Sequence, residues 1–92
     1  MDLGLSGKRA IITGGTRGIG RAIAQCLVKE GCSISICARN GEEVTSAVTA
    51  MQALAPKGTQ VTGSIADVAD TEGLSAWINT VAKNFGGLDI AI

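Results

Sequence analysis

The chain has 92 residues, of which 46% are hydrophobic and 17% charged, and eight basic residues are balanced by eight acidic ones. This composition favours one folded domain over a disordered chain, and zero net charge gives no electrostatic support for a nucleic-acid or anionic-membrane partner. Histidine and tyrosine are absent, which excludes a histidine base, a histidine metal ligand or a tyrosine acid from this chain.

Short apolar runs alternate along the chain with longer segments of helical period, a pattern that predicts β-α-β units and a parallel sheet. The first strand is predicted at 8–13 and is followed by a glycine-rich turn at 14–18. The helix after this turn is predicted to end at Gly31. Its buried face is expected to consist of Ile19, Ile23, Cys26 and Leu27.

The second strand is predicted at 33–37, and Asn40, with Glu43 three residues later, fits a capping box that begins the second helix. Pro56 and Gly58 break this helix, and a third strand is predicted at 60–64. The buried face of the second helix is expected to consist of Val44, Val48, Met51 and Leu54 or Ala55.

A third helix is predicted to begin at Asp70 or Thr71 and to end at Gly86 and Gly87, before a fourth strand at 89–92. Its apolar face consists of Leu74, Trp77, Ile78, Val81 and Phe85. Right-handed crossovers then predict the strand order 3-2-1-4, with two helices on one face and the third alone on the other. The predicted fold class is therefore α/β, a Rossmann-type doubly wound parallel sheet that is incomplete, with all 92 residues in a single partial domain.

Gly14, Gly18 and Gly20 follow the first strand with the spacing GxxxGxG. One glycine permits a tight turn, another lets the backbone approach a pyrophosphate, and a third lets helix and strand pack closely. The amides of Gly18 and Ile19, at the start of the helix, are expected to point at the phosphates. Because the pattern lies between a predicted strand and a predicted helix, it indicates a dinucleotide site; the alternative is a glycine turn without a ligand.

Four separated motifs carry a family resemblance: TGGTRGIG, ICARN, ADV and GLDI. In this order they resemble the short-chain dehydrogenase/reductase family, and in particular members of the ketoacyl-carrier-protein reductase type. The resemblance covers essentially the whole chain. It implies the N-terminal cofactor-binding portion of an oxidoreductase that transfers hydride to or from a carbonyl or alcohol substrate.

The end of the second strand bears on the choice of cofactor. Ala38 stands where an NAD-binding turn would place a carboxylate on the adenosine ribose hydroxyls. Arg39 follows it and Arg17 lies in the glycine turn, so two guanidinium groups are expected to meet a 2′-phosphate, with Thr16 as a hydroxyl partner. The sequence therefore predicts NADP(H) rather than NAD(H). The alternative for Arg39 is a solvated charge after a strand.

The resemblance implies that Asp67 and Val68 hold the adenine, the carboxylate accepting from the exocyclic amine and the backbone amide reaching the ring. The alternative for Asp67 is a turn or capping residue ahead of Asp70. Asp89 is expected to orient the fourth strand and is left out of the predicted site.

The resembled family catalyses hydride transfer with a tyrosine, a lysine four residues later, a serine and a supporting asparagine. This chain has no tyrosine and stops at Ile92, where the family has an Asn-Asn-Ala-Gly loop. We therefore assign no catalytic and no metal-binding residue, and expect the chain alone to be inactive. It is interpreted as the cofactor-binding part of a longer NADP(H)-dependent oxidoreductase; the alternative is a stand-alone, non-catalytic nucleotide-binding or regulatory module.

Three cysteines, Cys26, Cys32 and Cys37, lack the spacing of a zinc knuckle or a redox CxxC, and are expected to be buried thiols in a reducing cytosol. The sequence shows neither a secretory signal nor an apolar stretch long enough to cross a bilayer, so a cytoplasmic location is predicted. The expected partner is a dinucleotide, with no nucleic acid and no membrane. For a longer parent, the resemblance implies a carbonyl or alcohol substrate and a homo-oligomer.

Overall fold

The computed structural model describes residues 6–16, 18–67 and 69–92. Its elements are β1 (Arg9–Thr13), α1 (Gly18–Lys29), β2 (Ser33–Ala38), α2 (Gly41–Gln52), β3 (Val61–Ile65), α3 (Thr71–Phe85) and β4 (Ile90–Ala91). All strand pairs are parallel, and the strand order is β3-β2-β1-β4. The predicted elements, sheet order and fold class are confirmed.

Each face of the sheet is covered by its own hydrophobic cluster. Successive side chains of a strand point to opposite faces, so Ile12 and Ile11 belong to different clusters. The first cluster joins the sheet to α1 and α2 and includes Ile12, Ile34, Ile36, Ala24, Val28, Ala47 and Met51. The second joins it to α3 and contains Ile11, Cys37, Trp77 and Val81. The helices are therefore divided between the two faces as predicted.

Trp77 anchors α3 to the sheet. Its indole Nε1 donates a hydrogen bond of 3.2 Å to the Ser35 Oγ in the middle of β2, and both side chains are buried. A buried indole N–H needs a partner, and Ser35 supplies one inside an otherwise apolar layer. Phe85, at the end of the same helix, is partly buried and packs against this cluster.

The predicted helix caps at Asn40 and Asp70 are confirmed. Asn40 Oδ1 accepts from the amides of Glu42 and Glu43 at 2.9 and 3.1 Å, so it satisfies two donors at the start of α2. Asp70 Oδ1 accepts from the Gly73 amide at 3.1 Å at the start of α3. Among the helices of the described ranges, none is long and apolar enough to cross a membrane.

The buried face of α1 differs from the prediction. Its fully buried residues are Ala24 and Val28, with Ile23 and Leu27 packed against the same cluster. Ile19 is 80% exposed, so its assignment to the core is wrong. A helix turns about 100° per residue, which puts Ile19 about 140° from Ala24 around the axis. The small side chain of Ala24 is fully buried in the cluster that α1 shares with the sheet, and a pattern weighted toward large residues misses it.

The prediction of three buried thiols is wrong for Cys26, which is exposed. It lies two residues from both Ala24 and Val28, and therefore about 200° around the helix from the buried face. Cys32 and Cys37 are buried as predicted, and all three cysteines are free thiols. Burial raises the pKa of the Cys32 and Cys37 thiols.

The buried face of α2 agrees with the prediction at Val44 and Met51, and Val48 is partly buried and packs against the core as well. Ala47 is also fully buried, although its small side chain was not predicted to belong to the core. The helix ends at Gln52. The prediction gave Leu54 or Ala55 as its last buried residue; Ala55 packs against the core, whereas Leu54 is 41% exposed.

The Asp89 side chain joins the start of β4 to β1 by hydrogen bonds, in agreement with its predicted role of orienting the fourth strand. Its Oδ2 accepts hydrogen bonds from the backbone amide of Arg9 at 2.9 Å and from Arg9 Nε at 3.0 Å. Arg9 Nη1 also donates to the carbonyl oxygen of Gly86, the left-handed residue that ends α3, at 3.0 Å. The bonds from Arg9 hold the pKa of the Asp89 carboxyl below its usual value.

We expect Asp89→Asn to destabilise the chain at neutral pH but not in acid. Because the folded-state pKa of Asp89 is lowered, its contribution to stability is complete above the ordinary aspartate value of 3.8 and is lost as the pH falls through the folded value. Urea midpoints of the two proteins should therefore differ at a pH of about 7 and converge at about 2. If the urea midpoints still differ by the same amount in acid, the ionised Asp89 carboxylate does not contribute to stability in this way.

Candidate functional site

A cleft of about 700 Å³ opens at the carboxyl ends of β1, β2 and β3. Its lining includes five residues that the sequence analysis singled out, namely Gly14, Thr16, Ala38, Arg39 and Asp67. The chain connects β1 to β2 across one face of the sheet and β3 to β4 across the other, which makes this end of β1 the point where the strand order reverses. Open parallel sheets bind their ligands at such a point.

The glycine turn at the mouth of the cleft requires glycine for two physical reasons. Gly14 and Gly18 have φ values of 66° and 65°, in the left-handed region that side chains with a Cβ rarely adopt. Gly20 has no room for a Cβ, which would lie 2.5 Å from the carbonyl oxygen of Gly14. The Gly14 amide donates to the Cys37 carbonyl at 2.9 Å, which joins the turn to the end of β2.

Thr16 is 6% exposed at the centre of this turn. Its carbonyl oxygen accepts a hydrogen bond of 3.3 Å from Nη1 of Arg21, a residue that the sequence analysis did not select. Gly18 and Ile19 begin α1, and the first amides of a helix have no acceptor within it. Arg17, the other predicted residue of the turn, lies outside the described residues.

Arg39 follows the end of β2 and is exposed. Its guanidinium makes no hydrogen bond or ion pair with another residue of the described ranges. Ala38, the last residue of β2, offers the cleft no carboxylate. The exposure of Arg39 fits both a phosphate contact and an ordinary solvated charge, and binding experiments distinguish the two.

Asp67 has the turn role that was the alternative for it, and it also lines the cleft. Its Oδ1 accepts from the Ala69 amide at 2.9 Å, and its carbonyl oxygen accepts from the Asp70 amide at 2.9 Å. These bonds fix the carboxylate at the end of β3, beside the cleft. Oδ2 makes no bond with another described residue. Val68, its predicted neighbour in the site, lies outside the described residues.

Four further residues line the cleft without having been predicted as site residues, namely Cys37, Asn40, Glu43 and Ala66. Asn40 and Glu43 had a visible signal, because they were recognised as the start of α2, and a helix that follows a parallel strand begins at the carboxyl edge of the sheet. In the described part of the chain, no three cysteine or acidic side chains come together as a metal site would require.

Comparison with known proteins places the chain among oxidoreductases. A family model described as short chain dehydrogenase matches residues 8–92. The 3-oxoacyl-[acyl-carrier-protein] reductase FabG of Staphylococcus aureus is 35% identical over 85 residues, which are 92% of this chain and 34% of that protein. This similarity confirms the resemblance to the ketoacyl-carrier-protein reductase type.

Two solved structures have the same fold over nearly the whole chain. L-sorbose reductase of Gluconobacter frateurii, complexed with NADPH and L-sorbose, superposes with a TM-score of 0.89 at 41% identity, over 99% of this chain and 34% of that one. An NAD⁺-bound xylitol dehydrogenase superposes with a TM-score of 0.86 at 28% identity, over 95% of this chain and 32% of that one. The chain spans about a third of the length of the proteins it matches.

Proposed function

Because the chain belongs to the short-chain dehydrogenase/reductase family, we propose that its cleft holds the adenosine half of NADP(H). In this proposal Arg39 meets the 2′-phosphate, the turn from Gly14 to Gly20 holds the pyrophosphate, and Asp67 accepts from the adenine amine. The observation that carries the proposal is that Gly14, Thr16, Arg39 and Asp67 line one cleft at the carboxyl ends of β1, β2 and β3, beside the point where the strand order reverses. Arg17 and Val68 remain part of the proposed site on sequence grounds.

The preference for NADP(H) rests on charge at the end of β2. A turn that binds the two ribose hydroxyls of NAD(H) needs a side chain that accepts their hydrogen bonds, and the side chain of Ala38 has no acceptor. A 2′-phosphate needs donors and positive charge, and the Arg39 guanidinium, which has no partner among the described residues, supplies both. Members of the family bind NADP or NAD, as the sorbose reductase and xylitol dehydrogenase complexes illustrate. The similarity to the NADPH-bound sorbose reductase supports the same choice here.

We further propose that the chain is the cofactor-binding part of a longer enzyme, one that transfers hydride between NADP(H) and a carbonyl or alcohol. The chain contains no tyrosine, so we expect it to show no turnover by itself. A cytoplasmic location and a homo-oligomeric parent belong to the same proposal. The three free cysteines support the former, because unpaired thiols are typical of reducing compartments.

Titration of the purified chain with NADPH and NADH tests the proposal. We expect NADPH to bind at least about tenfold more tightly, because a charge-assisted contact to the 2′-phosphate is absent with NADH. Equal or tighter binding of NADH would overturn the preference for NADP(H). Failure of both to bind would overturn the nucleotide site itself, and oxidation of NADPH by the chain alone would contradict the expected lack of turnover.

A further inference from the structure

We propose that Arg21 is a positioning residue for the pyrophosphate part of the site, an inference that rests on the proposed function. Arg21 is the fourth residue of α1, and its Nη1 donates to the Thr16 carbonyl oxygen at 3.3 Å. Thr16 lines the cleft, but Arg21 does not. The guanidinium therefore contacts the glycine turn without lining the cleft, and it would affect cofactor binding only by holding the turn in place.

The turn needs such a restraint because glycines lie on both sides of Thr16. Gly14 and Gly18 hold left-handed φ values, and glycine is the residue with the most backbone freedom to lose. On the strand side, the Gly14 amide is bonded to Cys37 and fixes the turn to β2. The Arg21 bond fixes the centre of the turn to α1, so that the turn is attached to a packed element at Thr16 as well as at Gly14.

The bond also has an electrostatic consequence for a bound anion. A backbone carbonyl oxygen carries partial negative charge and opposes a phosphate group, whereas amides favour one. The Arg21 guanidinium donates to the Thr16 carbonyl oxygen and thereby satisfies this acceptor within the protein. In this proposal the first amides of α1, which have no acceptor within the helix, are the donors that remain for the pyrophosphate.

Two ligands separate this role from a general effect on folding. NADPH contains a pyrophosphate and a 2′-phosphate, and residues of the glycine turn are predicted to contact both, whereas adenosine contains neither phosphate group. We expect Arg21→Met to weaken NADPH about tenfold, since the turn loses one hydrogen bond from a charged donor, and to leave binding of adenosine unchanged. Lys29→Met, which removes an exposed cation at the far end of α1, is the matched control and should change neither affinity.

A spectroscopic measurement separates positioning from direct contact. In the ligand-free protein, Arg21→Met should shift the amide resonances of Gly14 and Gly15, because the turn loses its attachment to α1. Unchanged resonances together with weakened NADPH binding would mean that Arg21 touches the phosphates itself, and would overturn the positioning role.

The binding outcomes that overturn the inference are equally specific. They are unchanged NADPH affinity in Arg21→Met, equal weakening of both ligands, or equal weakening by Lys29→Met. If the wild-type chain binds neither ligand, the proposed function fails. If the wild-type chain binds both ligands and Arg21→Met binds them equally well, only the positioning role of Arg21 fails.

Discussion

Replacement of Gly20 by alanine is expected to lower the affinity for NADPH at least about tenfold and to destabilise the chain by about 1–3 kcal/mol. The new Cβ would lie 2.5 Å from the carbonyl oxygen of Gly14 and 3.2 Å from its carbonyl carbon. Both are backbone atoms, so no side-chain rotation relieves the clash. The start of α1 must move away from the glycine turn, which displaces the amides that are proposed to hold the pyrophosphate.

Gly58→Ala is a matched control for this substitution. Gly58 has a φ of +89°, so alanine is strained there, but no atom lies within 4 Å of the new Cβ and the residue is not part of the cleft. It should cost about 1 kcal/mol of stability without changing NADPH affinity. Urea unfolding and cofactor titration of both variants give the comparison. Wild-type affinity in Gly20→Ala, or equal loss of affinity in both, would contradict the role of the close contact.

Arg39→Met is expected to weaken NADPH by about 10–100-fold and to leave NADH unchanged. A hydrogen bond to a charged group contributes about 1.5–3 kcal/mol, and NADH lacks the phosphate that receives it. Arg39 has no partner among the described residues, so its removal should not disturb the fold.

Lys57→Met provides the control for loss of one positive charge. Lys57 is exposed and lies in the loop before β3, at the opposite end of the sheet from the cleft. Parallel titrations with NADPH and NADH should show a selective loss in Arg39→Met alone. If both affinities fall together, or if the lysine variant matches the arginine variant, Arg39 does not recognise the 2′-phosphate.

The element order and the ends of the helices were predictable because their signals are local. Asn40 and Asp70 have side chains that accept from the amides of the next turn, and Gly86 adopts a left-handed φ of 80°. These are preferences of single residue types at single positions. The strand order then followed from the handedness of the crossovers, which depends on the order of elements alone.

Burial along α1 was less predictable, because it depends on how closely the helix approaches the sheet. Ala24 and Ala47 are fully buried in the cluster that joins α1 and α2 to the sheet, although small side chains contribute little to a hydrophobic pattern. Ile19 has the opposite property: it is large and apolar, yet it lies on the exposed side of the first turn of α1. A prediction from hydrophobicity alone therefore put the centre of the buried face of α1 in the wrong place.

The candidate site was predictable where a residue type matches a chemical need, as at Gly14, Thr16, Arg39 and Asp67, which the structure brings to one cleft. Ala66 was not selected as a site residue, although it belongs to the ADV motif and directly precedes Asp67. Arg21 was also missed. Its bond is to a backbone carbonyl, and no pattern of residue types indicates such a bond.

The proposal that this cleft binds a 2′-phosphorylated adenosine is tested most directly by an NMR titration of the amide resonances with adenosine 2′,5′-bisphosphate. We expect saturable shifts concentrated at the cleft, at Gly14, Arg39 and Asp67 above all, and absent from the opposite end of the sheet. Shifts concentrated instead around Gly58 and Gln60, or no saturable shifts at any amide, would contradict the proposal.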